Sequence, residues 1–294
     1  MSKIKVSVVQ HACSGQYEKN LQIGLNGIKQ AAAKGADLVL LPELNTHFYF
    51  CIKENSDYFD FAEPIPGPST EALQAAAKEN NIIIVATIFE KRAKGLYHNT
   101  AIVLDKDGSL AGTYQKMHIP DDPGFYEKYY FTPGDKGFVP IDTSIGKLGI
   151  LICWDQWYPE AARIMALSGA ELLLFPSAIG WDPNESNAEK NRQLEAWIAI
   201  QRSHAIANNL PIVSSNRIGQ ETDDENNLTT IFWGNSFISG QQGEVLAEAT
   251  TDQEEIIISE LDLIHTEQVR RIWPYLRDRR IDAYSNILKR HIDK

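Results

Sequence analysis

Two stretches of the chain repeat one another, and this internal repeat restricts the fold more than any other feature of the sequence. GADLVLLPE at residues 35–43 is echoed by GAELLLFPS at residues 169–177, and each follows an alanine-rich segment with helical periodicity. A short apolar run precedes each helix, IKVSVVQ at residues 4–10 and KLGILICW at residues 147–154. Apolar runs of this length, alternating with helical segments, are typical of buried strands in an α/β fold.

The repeat continues beyond these segments. NNIIIVATIFE at residues 80–90 corresponds to NNLPIVSSNRIG at residues 208–219. NTAIVLDKDGSLAGTY at residues 99–114 corresponds to GNSFISGQQGEVLAEAT at residues 234–250, and both predict two strands joined by a glycine-containing hairpin turn. We therefore predict an α/β fold in which two copies, linked through residues 116–143, are related by a pseudo-two-fold axis. Their sheets should face each other, with the helices outside.

The limits of the repeat predict one domain and a C-terminal extension. No Gly/Ser/Pro-rich linker separates the two copies, so residues 1–262 are predicted to form a single domain. Residues 263–294 fall outside the repeat and carry Trp273, Tyr275 and Tyr284 among many charges. We expect this extension to pack on another subunit of a homo-oligomer, a dimer or a larger assembly.

Composition excludes several classes of function. A formal net charge of -11 argues against nucleic acid as a partner. The apolar runs are shorter than a membrane span, and the N-terminus has no secretory signal pattern. Three scattered cysteines predict neither a disulfide framework nor a zinc site, and they favour a reducing cytoplasm. No phosphate-binding loop, H-E-x-x-H motif or G-x-S-x-G elbow is present.

Cys153 lies where a predicted strand gives way to a helix that begins at Pro159. Open α/β sheets bind their ligands at the carboxyl ends of the strands. Backbone N–H groups at a helix start also favour a thiolate, so Cys153 is a candidate nucleophile. The alternative from the residues alone is a small buried structural side chain.

Further polar residues stand at corresponding strand ends. Glu43 follows LVLLP at the place that Ser177 occupies in the second copy, and Lys116 ends the hairpin strand of the first copy. Glu127 lies in GFYEKYYF, where aromatic neighbours would partly desolvate a carboxylate. His118 is either a base or a structural hydrogen-bonding group. For each charged residue, the alternative is a solvated charge at the edge of a sheet.

The segments LLPEL, YQKMHIPDD and LICWDQWYPE, taken together, resemble the nitrilase superfamily of carbon–nitrogen hydrolases. The resemblance extends over residues 4–280 and implies an α-β-β-α sandwich. Longer stretches, residues 116–135 and 273–284, are similar to the N-carbamoylputrescine amidase family within that superfamily. The resemblance therefore implies hydrolysis of N-carbamoylputrescine, a small-molecule substrate, to putrescine, carbon dioxide and ammonia, with no metal and no organic cofactor.

The resemblance also implies roles for individual residues. Cys153 matches the nucleophile of the superfamily, Glu43 its general base and Lys116 its cationic oxyanion stabiliser. Glu127 matches a supporting carboxylate that holds the lysine. The backbone N–H of Trp154 is expected to be a second donor to the oxyanion.

The sequence does not identify the residues that bind the end of the substrate remote from the ureido group. A diamine would require acids near the site, and the candidates are Asp121, Asp122, Asp182 and Glu185. N-carbamoyl-β-alanine or an ω-amide would instead require an arginine, and Arg163 and Arg217 are the nearby choices. A catalytically idle binding protein is a further alternative, which the presence of all three reactive groups disfavours.

Overall fold

The computed structural model describes residues 3–293 except residues 224, 226 and 227. The strands in this part of the chain are β1 (Lys3–Gln10), β2 (Leu38–Leu40), β3 (Ile83–Ala93), β4 (Leu96–Leu104), β5 (Leu110–Gln115), β6 (Ile141–Thr143), β7 (Gly146–Ile150), β8 (Leu172–Pro176), β9 (Gly180–Trp181), β10 (Ile212–Ser215), β11 (Ile218–Asp223), β12 (Leu228–Trp233), β13 (Phe237–Ser239), β14 (Val245–Glu248) and β15 (Glu255–Asp262). The α-helices are α1 (Tyr17–Ala33), α2 (Pro68–Asn80), α3 (Glu127–Tyr130), α4 (Pro159–Leu167), α5 (Asn187–Asn208) and α6 (Leu263–Ile272).

The two copies of the sequence repeat form two sheets of the same topology. The first sheet has the order β15-β1-β2-β3-β4-β5, and the second has the order β6-β7-β8-β10-β13-β14. In both, three parallel strands are followed by two antiparallel ones. The predicted α/β sandwich with a pseudo-two-fold duplication is thus confirmed.

One outer strand of each sheet comes from outside the repeat. β15 pairs antiparallel with β1 in the first sheet, and β6 pairs antiparallel with β7 in the second. A small sheet of the order β11-β12-β9 is an addition to the second copy. The sequence analysis did not predict these pairings. β15 and β9 pair with segments that are remote along the chain, and β6 is a three-residue strand in the link between the two copies.

Burial on both faces of the first sheet explains its continuous apolar strands. Leu38 and Leu40 of β2 belong to the hydrophobic cluster between the two sheets. Val39 points the other way, into a cluster that includes Ile28 of α1 and Leu73 of α2. This alternation follows from the two-residue period of a strand, and it gives the four layers helix, sheet, sheet and helix.

The repeated asparagine pairs end the helices in the same way in both copies. Asn81 follows α2 and Asn209 follows α5, with φ of 49° and 48°. Asparagine adopts this left-handed conformation more readily than most other residues. α4 begins at Pro159, as predicted, and Gly169 lies just beyond its end with φ of 92°.

The duplication brings the carboxyl ends of the central strands together. The backbone N–H of Glu43, after β2, donates to the carbonyl of Ser177, after β8, over 3.2 Å. Ser215 Oγ at the end of β10 donates to the carbonyl of Leu41 over 2.9 Å. These bonds place the polar residues that follow β2 and β8 at one edge of the sandwich.

The C-terminal extension begins where the sheets end. α6 starts directly after β15, and the side chain of Asp262 accepts a hydrogen bond from the backbone N–H of His265 over 3.0 Å. Thr266 and Val269 of α6 are buried, whereas Leu288 further along is 90% exposed. None of the helices in the described part of the chain is long and apolar enough to cross a membrane.

Candidate active site

Cys153 lies on a tight turn between β7 and α4. It begins the 3₁₀ helix Cys153–Trp157 and has a φ of 43°, an unfavourable conformation for a residue with a Cβ. Gln156 fixes this turn, because its side-chain oxygen accepts from Trp197 Nε1 over 2.7 Å. Its backbone carbonyl also lies 2.8 Å from Nε2 of His204. Helix α5 therefore holds the turn that carries the cysteine through Trp197 and His204.

Glu43 is fully buried and held through its backbone and its side chain. Arg217 Nη2 donates to its carbonyl oxygen over 2.6 Å. Its Oε1 accepts from Asn99 Nδ2 over 2.7 Å and from Lys116 Nζ over 2.8 Å. Its Oε2 is buried and has no hydrogen-bond partner among the described residues, so this oxygen is available as a base.

Lys116 joins two carboxylates in the interior. Its Nζ lies 2.8 Å from Glu43 Oε1 and 2.6 Å from Glu127 Oε2, and none of the three side chains is more than 1% exposed. Tyr49 OH donates to the other oxygen of Glu127 over 2.7 Å. An ammonium group has three N–H donors. Two are directed to the carboxylates, which leaves one for a third acceptor.

The electrostatics of this group keep the lysine charged. Burial alone would lower the pKa of Lys116, but Glu127 and Glu43 outweigh it and hold that pKa well above its usual range. Burial raises the pKa of Glu127 to about 7, against the lowering effect of Lys116. The cluster therefore contains a permanent cation beside a carboxyl group that titrates near neutral pH.

The thiol of Cys153 is protonated at neutral pH. Burial, reinforced by the charge of Glu43, raises its pKa well above the usual range, and these effects outweigh Lys116 and a backbone hydrogen bond from Ala178. Desolvation therefore outweighs the backbone N–H groups of the helix start, which were expected to favour a thiolate. A neutral thiol needs a base in order to attack a carbonyl carbon.

A cavity of about 350 Å³ lies beside this cluster. Cys153 and Glu127 line it, together with Trp154, the residue that follows the cysteine. The other aromatic and polar lining residues are Phe125, Trp157, Trp233, Asp122 and Gln193. The cavity is large enough for a small extended molecule, with the Cys153 side chain at one wall and aromatic rings around the remainder.

Comparison with known proteins gives the family. A carbon-nitrogen hydrolase family model matches residues 5–271. The chain belongs to the carbon–nitrogen hydrolase family. It is similar to the carbon-nitrogen hydrolase from Helicobacter pylori G27, with a TM-score of 0.96 and 54% identity over 99% of this chain and 100% of that one. Nit3 of Saccharomyces cerevisiae, a member of the nitrilase superfamily, has a TM-score of 0.77 and 29% identity over 95% and 97% of the two chains.

Two relatives with named activities are about 40% identical to this hydrolase. A protein of Francisella tularensis named citrullinase is 41% identical over 99% of this chain and 100% of its own. An N-carbamoylputrescine amidase of Oryza sativa is 42% identical over 98% and 95% of the two chains. The predicted superfamily, and an enzyme that hydrolyses carbon–nitrogen bonds, are thus confirmed.

The four acids expected near the far end of the substrate lie in different places in this hydrolase. Asp122 lines the cavity. Glu185 does not line the cavity but contacts a lining residue, because its Oε1 accepts a hydrogen bond from Gln193 Nε2 over 2.5 Å. Its Oε2 is buried and has no hydrogen-bond partner among the described residues. Asp121 and Asp182 are exposed and are not among the lining residues, so the structure does not bring them to the site.

The two candidate arginines are directed away from the cavity. Arg163 Nη2 donates to the carbonyl of Ala207 over 2.9 Å, and Arg217 is buried behind Glu43. Among the described residues that line the cavity, none is an arginine or a lysine. His118 has the structural role that was one of its two alternatives, because Nδ1 lies 2.7 Å from Asp155 Oδ1 and its ring stacks on Tyr158.

Tyr49 and Asn99 contact the buried acids, and the sequence analysis missed both. The hairpin register contains a signal for Asn99, because Thr100 pairs with Gln115 and Asn99 therefore lies across from Lys116. No comparable local signal exists for Tyr49, which precedes the first 3₁₀ helix and reaches Glu127 across the fold. Within the described residues, no group of three His, Cys, Asp or Glu side chains is arranged to hold a metal ion.

Proposed function

We propose that this enzyme hydrolyses N-carbamoylputrescine to putrescine, carbon dioxide and ammonia, with Cys153 as nucleophile. Glu43 is the general base and Lys116 the cationic stabiliser. Two features support these roles. The buried thiol is neutral, and the unpartnered Oε2 belongs to a glutamate whose charge acts on that thiol. A base beside a protonated nucleophile is the arrangement that attack on a carbonyl requires.

In the first half of the reaction, Glu43 takes the thiol proton as Cys153 attacks the ureido carbon. The negative charge that develops on oxygen is stabilised by the third N–H of Lys116 and by the backbone N–H of Trp154. One such donor contributes about 3 kcal/mol to a transition state of this type. Glu43 then gives its proton to the terminal amide nitrogen and the C–N bond breaks. Ammonia departs, and the carbamoyl group remains bonded to the sulfur of Cys153.

In the second half, a water molecule replaces the thiol. Glu43 takes a proton from this water as it attacks the same carbon, and Lys116 again stabilises the oxyanion. The C–S bond breaks, the thiol regains its proton, and an N-substituted carbamic acid is released. This acid decomposes to carbon dioxide and putrescine, so one water molecule is consumed for each substrate.

Glu127 supports the reaction through Lys116. Its Oε2 holds the ammonium over 2.6 Å, and its Oε1 is held in turn by Tyr49. Because Glu127 also lines the cavity, its carboxylate can contact the ureido nitrogen of a bound substrate. We therefore assign it a supporting role beside the three reacting groups.

The proposed choice of substrate rests on the charges of the residues that line the cavity. The lining contains Asp122 and a set of aromatic rings but, among its described residues, no arginine or lysine. A primary ammonium is stabilised by a carboxylate and by the faces of aromatic rings, whereas a carboxylate would remain unpaired there. The buried Oε2 of Glu185 is a second acceptor close behind Gln193. These groups favour a diamine over N-carbamoyl-β-alanine or an ω-amide.

Citrulline is the second candidate substrate, because the Francisella relative named citrullinase covers the whole chain at 41% identity. Citrulline carries the same ureido group on a chain that ends in both an ammonium and a carboxylate. Its ammonium fits the acids of the cavity. Its carboxylate has no cationic partner among the described lining residues, which is why we place it second.

The test is ammonia release from N-carbamoylputrescine, L-citrulline, N-carbamoyl-β-alanine and glutaramate at equal concentration. We expect the highest kcat/KM for N-carbamoylputrescine. Asp122→Asn should raise KM for this substrate by at least ~10-fold, because it removes the charge that faces the ammonium. Asp121→Asn is the matched control and should leave KM unchanged, since Asp121 is exposed and outside the lining. A higher kcat/KM for any carboxylate-bearing compound would refute the diamine assignment and leave the catalytic one intact.

We further propose a cytoplasmic homo-oligomer. The three cysteines are free thiols, which fits a reducing compartment. Large apolar side chains cluster on the surface of the C-terminal extension: Ile272, Trp273, Ile281, Ile287 and Leu288 are each more than half exposed. Another subunit that covered them would remove this apolar surface from water.

A further inference from the structure

Asp155 is a buried carboxylate whose four close contacts have no part in the mechanism above. It lies two residues after Cys153 and is 0% exposed. Its Oδ2 accepts from the backbone N–H of Ile152 over 3.0 Å and from Tyr114 OH over 2.8 Å. Its Oδ1 accepts from the backbone N–H of His118 over 2.9 Å and lies 2.7 Å from the ring Nδ1 of the same residue.

The partners of Asp155 flank the two reactive groups that come from different copies of the repeat. Tyr114 and His118 stand two residues before and two residues after Lys116, which follows β5. Ile152 directly precedes Cys153. One carboxylate therefore ties the segment that carries the lysine to the turn that carries the cysteine.

We propose that Asp155 is a positioning residue that fixes the Lys116 ammonium relative to the Cys153 sulfur. The inference rests on the proposed function, in which the oxyanion forms on the carbon bonded to that sulfur. A donor acts on an oxyanion only when it lies about 2.7–3.1 Å from it. The lysine must therefore be placed with respect to the sulfur, and a misplacement of about 1 Å can cost roughly 100-fold in rate.

The stacking of His118 makes the link rigid. Its ring lies 3.7 Å from the ring of Tyr158, centroid to centroid, at an interplanar angle of 7°. Tyr158 itself follows the 3₁₀ helix of the cysteine turn and precedes α4. The segment after Lys116 is thus joined to the cysteine turn by a ring contact as well as by the carboxylate of Asp155.

Asp155→Asn tests the proposal with almost no change in volume. The amide supplies one acceptor oxygen and one NH₂ group, so either Ile152 N–H or His118 N–H would face a donor. One of these two hydrogen bonds must then lengthen. We expect kcat to fall by about 100-fold. KM should stay within threefold, because Asp155 is not among the residues that line the cavity.

A double-variant cycle separates positioning from a general loss of structure. If Asp155 acts through Lys116, then adding Asp155→Asn to Lys116→Ala should lower kcat by less than fivefold further. A merely structural role would give the full ~100-fold loss in both backgrounds. Tyr114→Phe, which removes a single donor, should lower kcat by about 10-fold and show the same dependence on Lys116. It serves as the second variant if Asp155→Asn does not fold.

The measurements use the substrate of highest kcat/KM for the wild-type enzyme, with Cys153→Ser in parallel. Asp142→Asn, an exposed aspartate, is the matched control and should leave kcat unchanged. Full activity in Lys116→Ala or Cys153→Ser would overturn the proposed function itself. If these two are inactive while Asp155→Asn stays within threefold of the wild-type kcat, or if the losses multiply, the positioning role alone is overturned.

Discussion

At the scale of single residues, the proposed role of Cys153 as nucleophile depends on its neighbours rather than on its own acidity. Burial and Glu43 raise the pKa of its thiol, so little thiolate exists before a substrate binds. The buried and unpartnered Oε2 of Glu43 provides the means to remove the proton at the moment of attack. A neutral thiol with a nearby base is also less exposed to oxidation than a free thiolate.

Cys153→Ala is expected to abolish turnover and to leave the fold intact, because the cavity loses its nucleophile and only a small buried group is removed. Ammonia release measures the first effect and thermal unfolding the second. In the wild-type enzyme, iodoacetamide should modify Cys153 faster than Cys13 or Cys51, and inactivation should keep pace with labelling at Cys153. Activity in the alanine variant comparable to the wild type would exclude Cys153 as the nucleophile.

Glu43→Gln and Lys116→Ala should each lower kcat by at least ~100-fold, since each removes a charge that the transition state needs. Because the two groups act together, the double variant should lose far less than the product of the single losses. Steady-state ammonia release over the four proteins provides the comparison. A single variant within a few-fold of the wild-type kcat would show that its residue has been misassigned.

The pH dependence of the reaction rate should follow the ionisation of Glu127. Its pKa is raised to about 7, mainly by burial, and only its ionised form holds Lys116 as an ion pair. The rate should therefore rise with pH through about 7. The hydrogen bond from Tyr49 lowers the pKa of Glu127, so Tyr49→Phe should raise it and move the acidic limb of kcat/KM to higher pH. An acidic limb at the same pH in both proteins would contradict this assignment.

At the scale of elements, the wall of the cavity depends on a close approach between strands. Gly180 of β9 lines the cavity, and a Cβ at this position would lie 2.3 Å from the carbonyl oxygen of Ile231 in β12. No side chain fits there unless the two strands separate. The small sheet that was added to the second copy of the repeat thus forms one side of the site.

Gly180→Ala should raise KM and lower the temperature of unfolding, because the added methyl group pushes β9 away from β12 and distorts the cavity. We expect a loss of about 1–3 kcal/mol in the free energy of unfolding, as for other overpacked sites. Thermal unfolding and substrate titration measure the two effects. Gly15→Ala is the matched control, since a Cβ at Gly15 meets nothing within 4 Å, and it should change neither.

At the scale of the whole molecule, the C-terminal extension carries several large apolar side chains that are left uncovered. Ile287 and Leu288 are 63% and 90% exposed, so they add nothing to the core of this chain. Large exposed apolar groups that cluster in this way mark interaction surfaces. We therefore expect the extension to contribute to the contact between subunits.

Replacing both Ile287 and Leu288 by Asp should give a smaller species in sedimentation, because charges would replace apolar groups at the contact. A chain truncated after Asp262 should show the same change. Val139→Asp is the matched control, since Val139 is also exposed, at 61%, but lies outside the extension. Assembly that is unaffected by both changes would rule out an interface formed by the extension.

The sequence by itself determined the duplicated α/β plan and the residue types at the strand ends. Strand and helix periods are local, and a repeat is visible without any structure. Glu43, Lys116 and Cys153 were predicted as site residues from that plan and from motifs that resemble those of the nitrilase superfamily. The edge strands β6 and β15 did not follow, because β6 is a three-residue strand outside the repeat and β15 pairs with β1, which is far away in the sequence.

Only the tertiary structure decided how the reactive groups are held and charged. Tyr49 contacts Glu127, and Asp155 contacts Tyr114 and His118, between segments that are far apart in the sequence, and no local pattern encodes those contacts. The protonated state of Cys153 and the choice of Asp122 over Asp121 for the cavity wall depend on burial. Burial is a property of the packed chain, because a pKa and an exposed surface depend on every group that folding brings near.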